Sequence, residues 1–150
     1  RDLLDAVRAQ VTLDVIQLHG AETPAVAARI GMHHGLEVWK AVPVRRGEDL
    51  AMARKYVGSV ARVLYDAKAP TGDGLPGGNG LRFDWNLLAG YRHALPWVLA
   101  GGLDPRNVGE AVRVTGADLL DVSSGVESAP GVKDVDKIAA FCKAVRDYTP

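Results

Sequence analysis

Along the 150-residue chain, two kinds of segment take turns. Short apolar runs with little period-2 alternation read as strands buried on both faces of a parallel sheet. The stretches between them carry apolar residues at helical spacing and read as amphipathic helices packed over that sheet. Residues 1–10, with Leu3, Leu4 and Val7 on one face, predict a helix, and Asp14 to Leu18 predicts a strand running into Gln17-Leu18-His19-Gly20. Thr23-Pro24 supplies an N-cap and a proline suited to the first turn of a helix with Val26, Ala27 and Ile30 on one side, which Gly35 stops. Leu36 to Val44 predicts the second strand. A helix from about Glu48 to Val57 comes next, with Leu50 and Val57 inward, and the run from Val60 to Tyr65 is a third strand that ends in Asp66. Asp84 predicts the cap of a helix bearing Leu87, Leu88 and Tyr91. Pro96 to Ala100 is a fourth strand, and Asp104-Pro105 opens a helix through Val108, Ala111 and Val112 that Gly116 ends. Asp118 to Val122 predicts a fifth strand. The last helix puts Val135, Ile138, Phe141, Cys142 and Val145 on an inward face, where Cys142 is expected to be a buried, inert thiol.

A helix followed by five strand-helix units, with no linker or low-complexity tract, predicts one α/β domain over residues 1–150. Five units suit a doubly wound sheet at this length, or the later part of an eight-unit barrel that normally needs at least ~200 residues. The last two units favour the barrel. Gly101-Gly102 ends one strand and Ser123-Ser124-Gly125 ends the next, so two small, amide-rich turns lie side by side, as in the phosphate cradle after barrel strands seven and eight. Asp66 ends a buried strand, where parallel α/β folds place their chemistry. The long loop behind it, with five glycines from Gly72 to Gly80, can wrap a ligand with its backbone.

Charge adds mainly exclusions. Lys plus Arg balance Asp plus Glu at 18 each, so neither a global field nor a basic cluster argues for nucleic acid. No run of about 18 apolar residues could span a bilayer, and Arg1-Asp2-Leu3-Leu4-Asp5 lacks the pattern of a signal peptide, so a cytoplasmic protein with no membrane partner is expected. A single cysteine allows no internal disulfide, and no histidine and carboxylate cluster has metal-ligand spacing in the sequence.

Gln17-Leu18-His19-Gly20, Tyr65-Asp66-Ala67-Lys68, Gly77-Gly78-Asn79-Gly80 with Phe83-Asp84-Trp85, Ala100-Gly101-Gly102-Leu103 and Asp121-Val122-Ser123-Ser124-Gly125-Val126-Glu127 together resemble the phosphoribosylanthranilate isomerase family in order and spacing. Asn79 departs from the usual Thr or Ser, and residues 73–76 lengthen the loop slightly. The resemblance implies a (β/α)8 barrel catalysing an Amadori rearrangement of N-(5-phosphoribosyl)anthranilate in tryptophan biosynthesis, without a cofactor. It implies Asp66 as general acid, substrate contacts at Asp121 and Gly80, and a phosphate site at Gly101, Gly102, Ser123, Ser124 and Gly125, while His19 is expected to contact substrate because it ends a strand on the same face. The family's general base is a cysteine in a first-strand motif such as Lys-Ile-Cys-Gly, which nothing here matches. An arginine that holds the anthranilate carboxylate is unmatched too. The chain is therefore expected to be amino-terminally incomplete, covering about barrel units four to eight, inactive alone, and monomeric or homodimeric when complete.

Other readings stay open on the sequence alone. The chain could bind a phosphosugar without turnover, or belong to another phosphate-binding barrel such as indole-glycerol-phosphate synthase, although that chemistry calls for a strand-end lysine and glutamate pair. Asp121 could pair only with Lys68 or Lys40. His33, His34 and His93 read as solvent-facing, Trp39, Trp85 and Trp97 as packing residues, and Glu127 with Lys133-Asp134 as a solvated turn.

Overall fold

A computed structural model describes residues 2–67 and 84–148. The Gly-rich loop, with Gly80 and Lys68, lies outside the described residues. The chain opens on helix α1 (Asp2–Arg8) and continues through β1 (Val15–Leu18), α2 (Pro24–His34), β2 (Glu37–Val44), a 3-10 helix (Gly47–Tyr56) and β3 (Arg62–Ala67). After the loop come a 3-10 turn (Trp85–Leu87), β4 (Trp97–Ala100), α3 (Val108–Thr115), a second 3-10 turn (Ser124–Val126), the hairpin strands β5 (Glu127–Ala129) and β6 (Val132–Lys133), and α4 (Val135–Tyr148). Strands β1 to β4 form one sheet in sequence order, and every pairing in it is parallel.

Strands β3 and β4 are buried on both faces, as their missing alternation requires, whereas β1 alternates and leaves Gln17 exposed. Toward the helices lie Ile16, Leu18, Val38, Val42, Val63, Tyr65 and Leu99. Trp39, Ala41, Leu64, Val98 and Ala100 cluster on the opposite, inner face. That alternation decides which strand-end side chains share a pocket.

The expected fifth strand is corrected. Residues 118–122 reach the sheet through a single parallel bridge, Leu99 to Leu120, in which the Leu99 amide donates to Leu119 O and the Asp121 amide to Leu99 O, both at 2.9 Å. Only Leu119 and Leu120 are apolar between Asp118 and Asp121, and Leu119 stays 36% exposed, so little burial rewards a longer ladder. The third strand also runs one residue past Asp66, to Ala67.

Local chemistry explains the helix limits. Thr23 caps α2 by accepting from the Val26 amide, and Gly35 ends the helix at φ 63°, a left-handed conformation suited to glycine. The segment expected to be an α-helix near 48–57 is a 3-10 helix. Its buried residues, Leu50, Ala53 and Tyr56, recur every third position, which matches three residues per turn, and Val57 is left exposed. Asp84 does act as a cap, accepting from the Asn86 amide, but the element it opens is only a 3-10 turn.

The face expected for α4 is also corrected. Phe141 is buried, whereas Val135 and Ile138 are exposed and Cys142 is an exposed free thiol. Helix α4 packs on α3 and on the Ser124–Val126 turn, so only a narrow stripe is covered by described residues. Among the described residues no helix is long and apolar enough to cross a membrane.

Candidate active site

Period 2 along each strand builds the site. Gln17 and His19 project from the end of β1, Leu64 and Asp66 from β3, and Ala100 from β4, all into one pocket of about 260 Å³. Asp121 enters from the bridge segment, and the pocket wall is completed by Gly101, Gly102 and Leu103 on one turn and by Val122, Ser123, Ser124 and Gly125 on the next. Except for Gly80, which lies outside the described residues, every residue singled out in the sequence for catalysis, substrate or phosphate lines this one cavity.

Asp66 is buried, its side chain 9% exposed, and its Oδ2 lies 3.4 Å from Nε2 of the largely exposed His19. A carboxyl group so placed can exchange a proton with the imidazole or with a molecule in the pocket. Asp121 is exposed at the rim. Lys40, one of its suggested partners, lies on the other side of the sheet, where its ammonium pairs with Glu22 at 3.5 Å. Lys68, the other, lies outside the described residues.

Glycine is needed where the walls meet. Gly101 has φ 88°, and a Cβ there would run into the Ala67 backbone and come within 2.8 Å of Asp66 Oδ1. A Cβ on Gly125 would collide with the Leu103 carbonyl, so the two small turns touch backbone to backbone. Gly102, at φ 64°, faces open space. Among the described lining residues there is no Lys or Arg, so an anion bound here would depend on backbone amides and hydroxyls.

Two buttresses of the pocket were not expected from the sequence. Buried Asn107 donates from Nδ2 to Gly102 O at 2.8 Å and accepts from the Asp104 amide, bracing the first turn, although its position suggests only the interior of a helix. Lys133 donates to Ser123 O at 3.0 Å and to Ser123 Oγ at 3.2 Å, and pairs with Glu127 at 2.6 Å. The hydrogen bond from Lys133, helped by the Gly131 amide, holds the Glu127 carboxyl below its ordinary range. The supposed solvated turn is thus a hairpin tied to the Ser123 turn. Gln17 was part of a motif but not a candidate, and its spacing of two from His19 is the signal that places it in the pocket.

His33 is exposed as expected, but the other two histidines read as solvent-facing are corrected. His34 is buried, and His93 is half-buried and stacked on Trp97 with ring centroids 4.4 Å apart and Nδ1 3.4 Å from the Tyr65 hydroxyl. Burial pushes the His93 imidazole down. Folding also brings Asp5, His33 and His34 within 4.8 Å of one another, a grouping invisible in the sequence because it joins two helices. The Arg8 guanidinium donates to His34 Nδ1 at 3.2 Å and so occupies the lone pair that a metal would need. Trp85 is buried and Trp39 and Trp97 half-buried, in keeping with packing roles.

A family model described as N-(5'phosphoribosyl)anthranilate (PRA) isomerase matches residues 2–144. A relative from Paramagnetospirillum magneticum, named N-(5'-phosphoribosyl)anthranilate isomerase, is 54% identical over 147 residues, covering 98% of this chain and 68% of the relative. Among solved structures, phosphoribosyl anthranilate isomerase from Thermotoga maritima superposes with a TM-score of 0.81 at 37% identity, over 97% of this chain and 68% of that one. A phosphoribosyl anthranilate isomerase in complex with reduced 1-(o-carboxyphenylamino)-1-deoxyribulose 5-phosphate gives a TM-score of 0.78 at 34% identity, over 97% of this chain and 66% of that one. The chain spans 61% to 68% of the length of the curated relatives it matches. Because the matching parallel α/β fold and the family model both run through nearly all of its residues, the chain belongs to the N-(5'-phosphoribosyl)anthranilate isomerase family.

Proposed function

We propose that the protein serves the conversion of N-(5-phosphoribosyl)anthranilate into 1-(2-carboxyphenylamino)-1-deoxyribulose 5-phosphate, with Asp66 as general acid. The observation that carries this reading is the burial of Asp66 in one pocket with His19, Asp121 and the two small turns. In the proposed step Asp66 delivers a proton to the furanose ring oxygen as the C1–O bond breaks and an imine forms with the anthranilate nitrogen. Loss of the C2 proton then gives an enolamine, which tautomerises to the ketone. Electrons move only within the substrate, so the reaction needs no redox cofactor.

Removal of the C2 proton is assigned to no residue of this chain. Cys142 is exposed on α4 and lines no part of the pocket. In this reading the four paired strands and the Leu99–Leu120 bridge are an arc of a (β/α)8 barrel forming one domain. The turns at Gly101-Gly102 and Ser123-Ser124-Gly125 hold the phosphate through their amides, and Asp121 faces the anthranilate side.

Asp66→Asn tests the assignment, because the amide keeps the shape and cannot deliver the proton. Loss of substrate fluorescence reports turnover, and calorimetry with a phosphosugar product analogue reports binding. The expected result is turnover lowered by about 10²–10⁴-fold, the usual worth of a general acid, with binding retained. Near-normal turnover would remove Asp66 from the role. A second reading, a site that binds phosphosugar without turnover, is told apart by the same pair of assays: the wild-type chain would bind the analogue and leave the substrate unchanged.

A further inference from the structure

Lys40 is a lysine with 5% of its side chain exposed, and it lies on the helix side of the sheet, away from the pocket. Its Nζ donates to Gly20 O at 2.9 Å, Ala41 O at 2.8 Å and Leu18 O at 3.4 Å. It also faces the Glu22 carboxylate at 3.5 Å. Two of these carbonyls, Leu18 O and Gly20 O, belong to the residues immediately before and after His19. The grip is reinforced from the other side. Glu22 accepts from the Gly20 amide at 3.0 Å, Tyr56 donates its hydroxyl to Glu22 O at 2.8 Å, and the Lys40 ammonium sits 5.9 Å from the centre of the Tyr56 ring. Burial alone would raise the Glu22 carboxyl, but the Glu22 and Gly20 amides and the Lys40 ammonium outweigh it and hold the group below its ordinary range.

A buried ammonium is costly unless its donors are satisfied. Here all of them are spent on one short turn and its neighbouring strand. A strand end without such a clamp is free to rotate its last peptides, and with them the side chain between. We infer that Lys40 is a positioning residue. By fixing the peptides on both sides of His19 from behind the sheet, it sets the imidazole against Asp66, 3.4 Å away on the front. The inference rests on the reading of Asp66 as the general acid, because the distance of His19 from that carboxyl matters for turnover only if Asp66 carries the proton.

The test compares wild type with Lys40→Met, which keeps the length of the stem and removes the donors. Three readings are taken on each: the His19 ring resonances by NMR with His33 as an internal reference, affinity for inorganic phosphate, and kcat with KM for N-(5-phosphoribosyl)anthranilate. The expected result is a clear shift of the His19 resonances with His33 unmoved, phosphate affinity unchanged, and kcat lowered by about 10- to 100-fold, as a misplacement of up to about 1 Å allows. Near-ultraviolet circular dichroism establishes that the variant is folded. If Lys40→Met fails to fold, Glu22→Gln, which removes the anion and keeps an acceptor for the Gly20 amide, takes its place, with a smaller effect in the same direction expected. His19 resonances that stay in place in a folded variant overturn the inference, as does a shifted His19 with unchanged kcat. An inactive wild type would sink the catalytic reading, while the His19 resonances would still decide whether Lys40 positions that ring.

Discussion

Gly101→Ala probes the tightest point of the site, where the end of β4 meets the end of β3. The glycine has φ 88°, and an added Cβ would strike the Ala67 backbone on one side and approach Asp66 Oδ1 to 2.8 Å on the other. Holding a residue with a Cβ in the left-handed region costs roughly 1–2 kcal/mol. Forcing a methyl group into a packed site that cannot rotate away adds about 1–3 kcal/mol. The two together give about 3 kcal/mol, and at ~2–4 °C per kcal/mol for a chain of this size the melting temperature should fall by roughly 6–12 °C. Gly35→Ala is the control, because Gly35 has φ 63° and nothing within 4 Å of a Cβ, so it carries the conformational cost without the collision. Urea unfolding followed by tryptophan fluorescence yields both values, and comparable slopes in the two variants keep the comparison valid. A Gly101→Ala loss within about 0.5 kcal/mol of the Gly35→Ala loss, a gap near the ordinary scatter of surface changes, would refute the argument that the two strand ends are in backbone contact.

Leu99→Ala removes a fully buried side chain from the strand that joins the sheet to the bridge segment, and should cost about 2–5 kcal/mol in the same unfolding assay; a loss below about 1 kcal/mol would mean that the site collapses to fill the void. Asp49 accepts from the Arg45 and Arg46 amides at 2.8 and 3.0 Å, and these bonds hold its carboxyl below its ordinary range. A carboxyl depressed in the folded state stabilises the protein above its unfolded pKa of about 3.9, and that contribution is lost as the pH falls through the folded value. Asp49→Asn should therefore lower stability at pH 7 and flatten the acid limb of a stability-against-pH curve, and parallel curves for the two proteins would exclude the effect. Cys142 is exposed, so a thiol reagent such as dithiobis(nitrobenzoate) should label the native protein to one equivalent without denaturant; labelling only after unfolding would return Cys142 to the core.

Much of the site is legible in the sequence. Asp66 follows Val63-Leu64-Tyr65, which is apolar on both faces as a doubly covered parallel strand is, so the acid was expected near a strand end. Gly101-Gly102 follows β4 and Ser123-Ser124-Gly125 follows the segment bridged to it at Leu99 and Leu120, and because consecutive units of a parallel sheet tend to be neighbours the two turns were expected side by side. The expected helical face of α4 misled because periodicity shows which residues could be buried, while the neighbouring elements determine which of them are covered. Histidines 34 and 93 misled for a related reason. Polarity suggested solvent, but an imidazole can be buried against a ring or another helix when a hydrogen-bond partner is at hand.

Local sequence thus determined the order of the four paired strands and of the helical segments between them, the caps at Thr23 and Asp84, and the side of each strand end on which a side chain stands, because these depend on contacts a few residues away. Tertiary structure alone decided which distant groups meet. It put His19 beside Asp66, braced Ser123 with Lys133, and sent Lys40 behind the sheet to grip the turn around His19. Those pairings span gaps of up to about fifty residues, and they arise from strand register and from the need of each buried donor for an acceptor, neither of which a local pattern records.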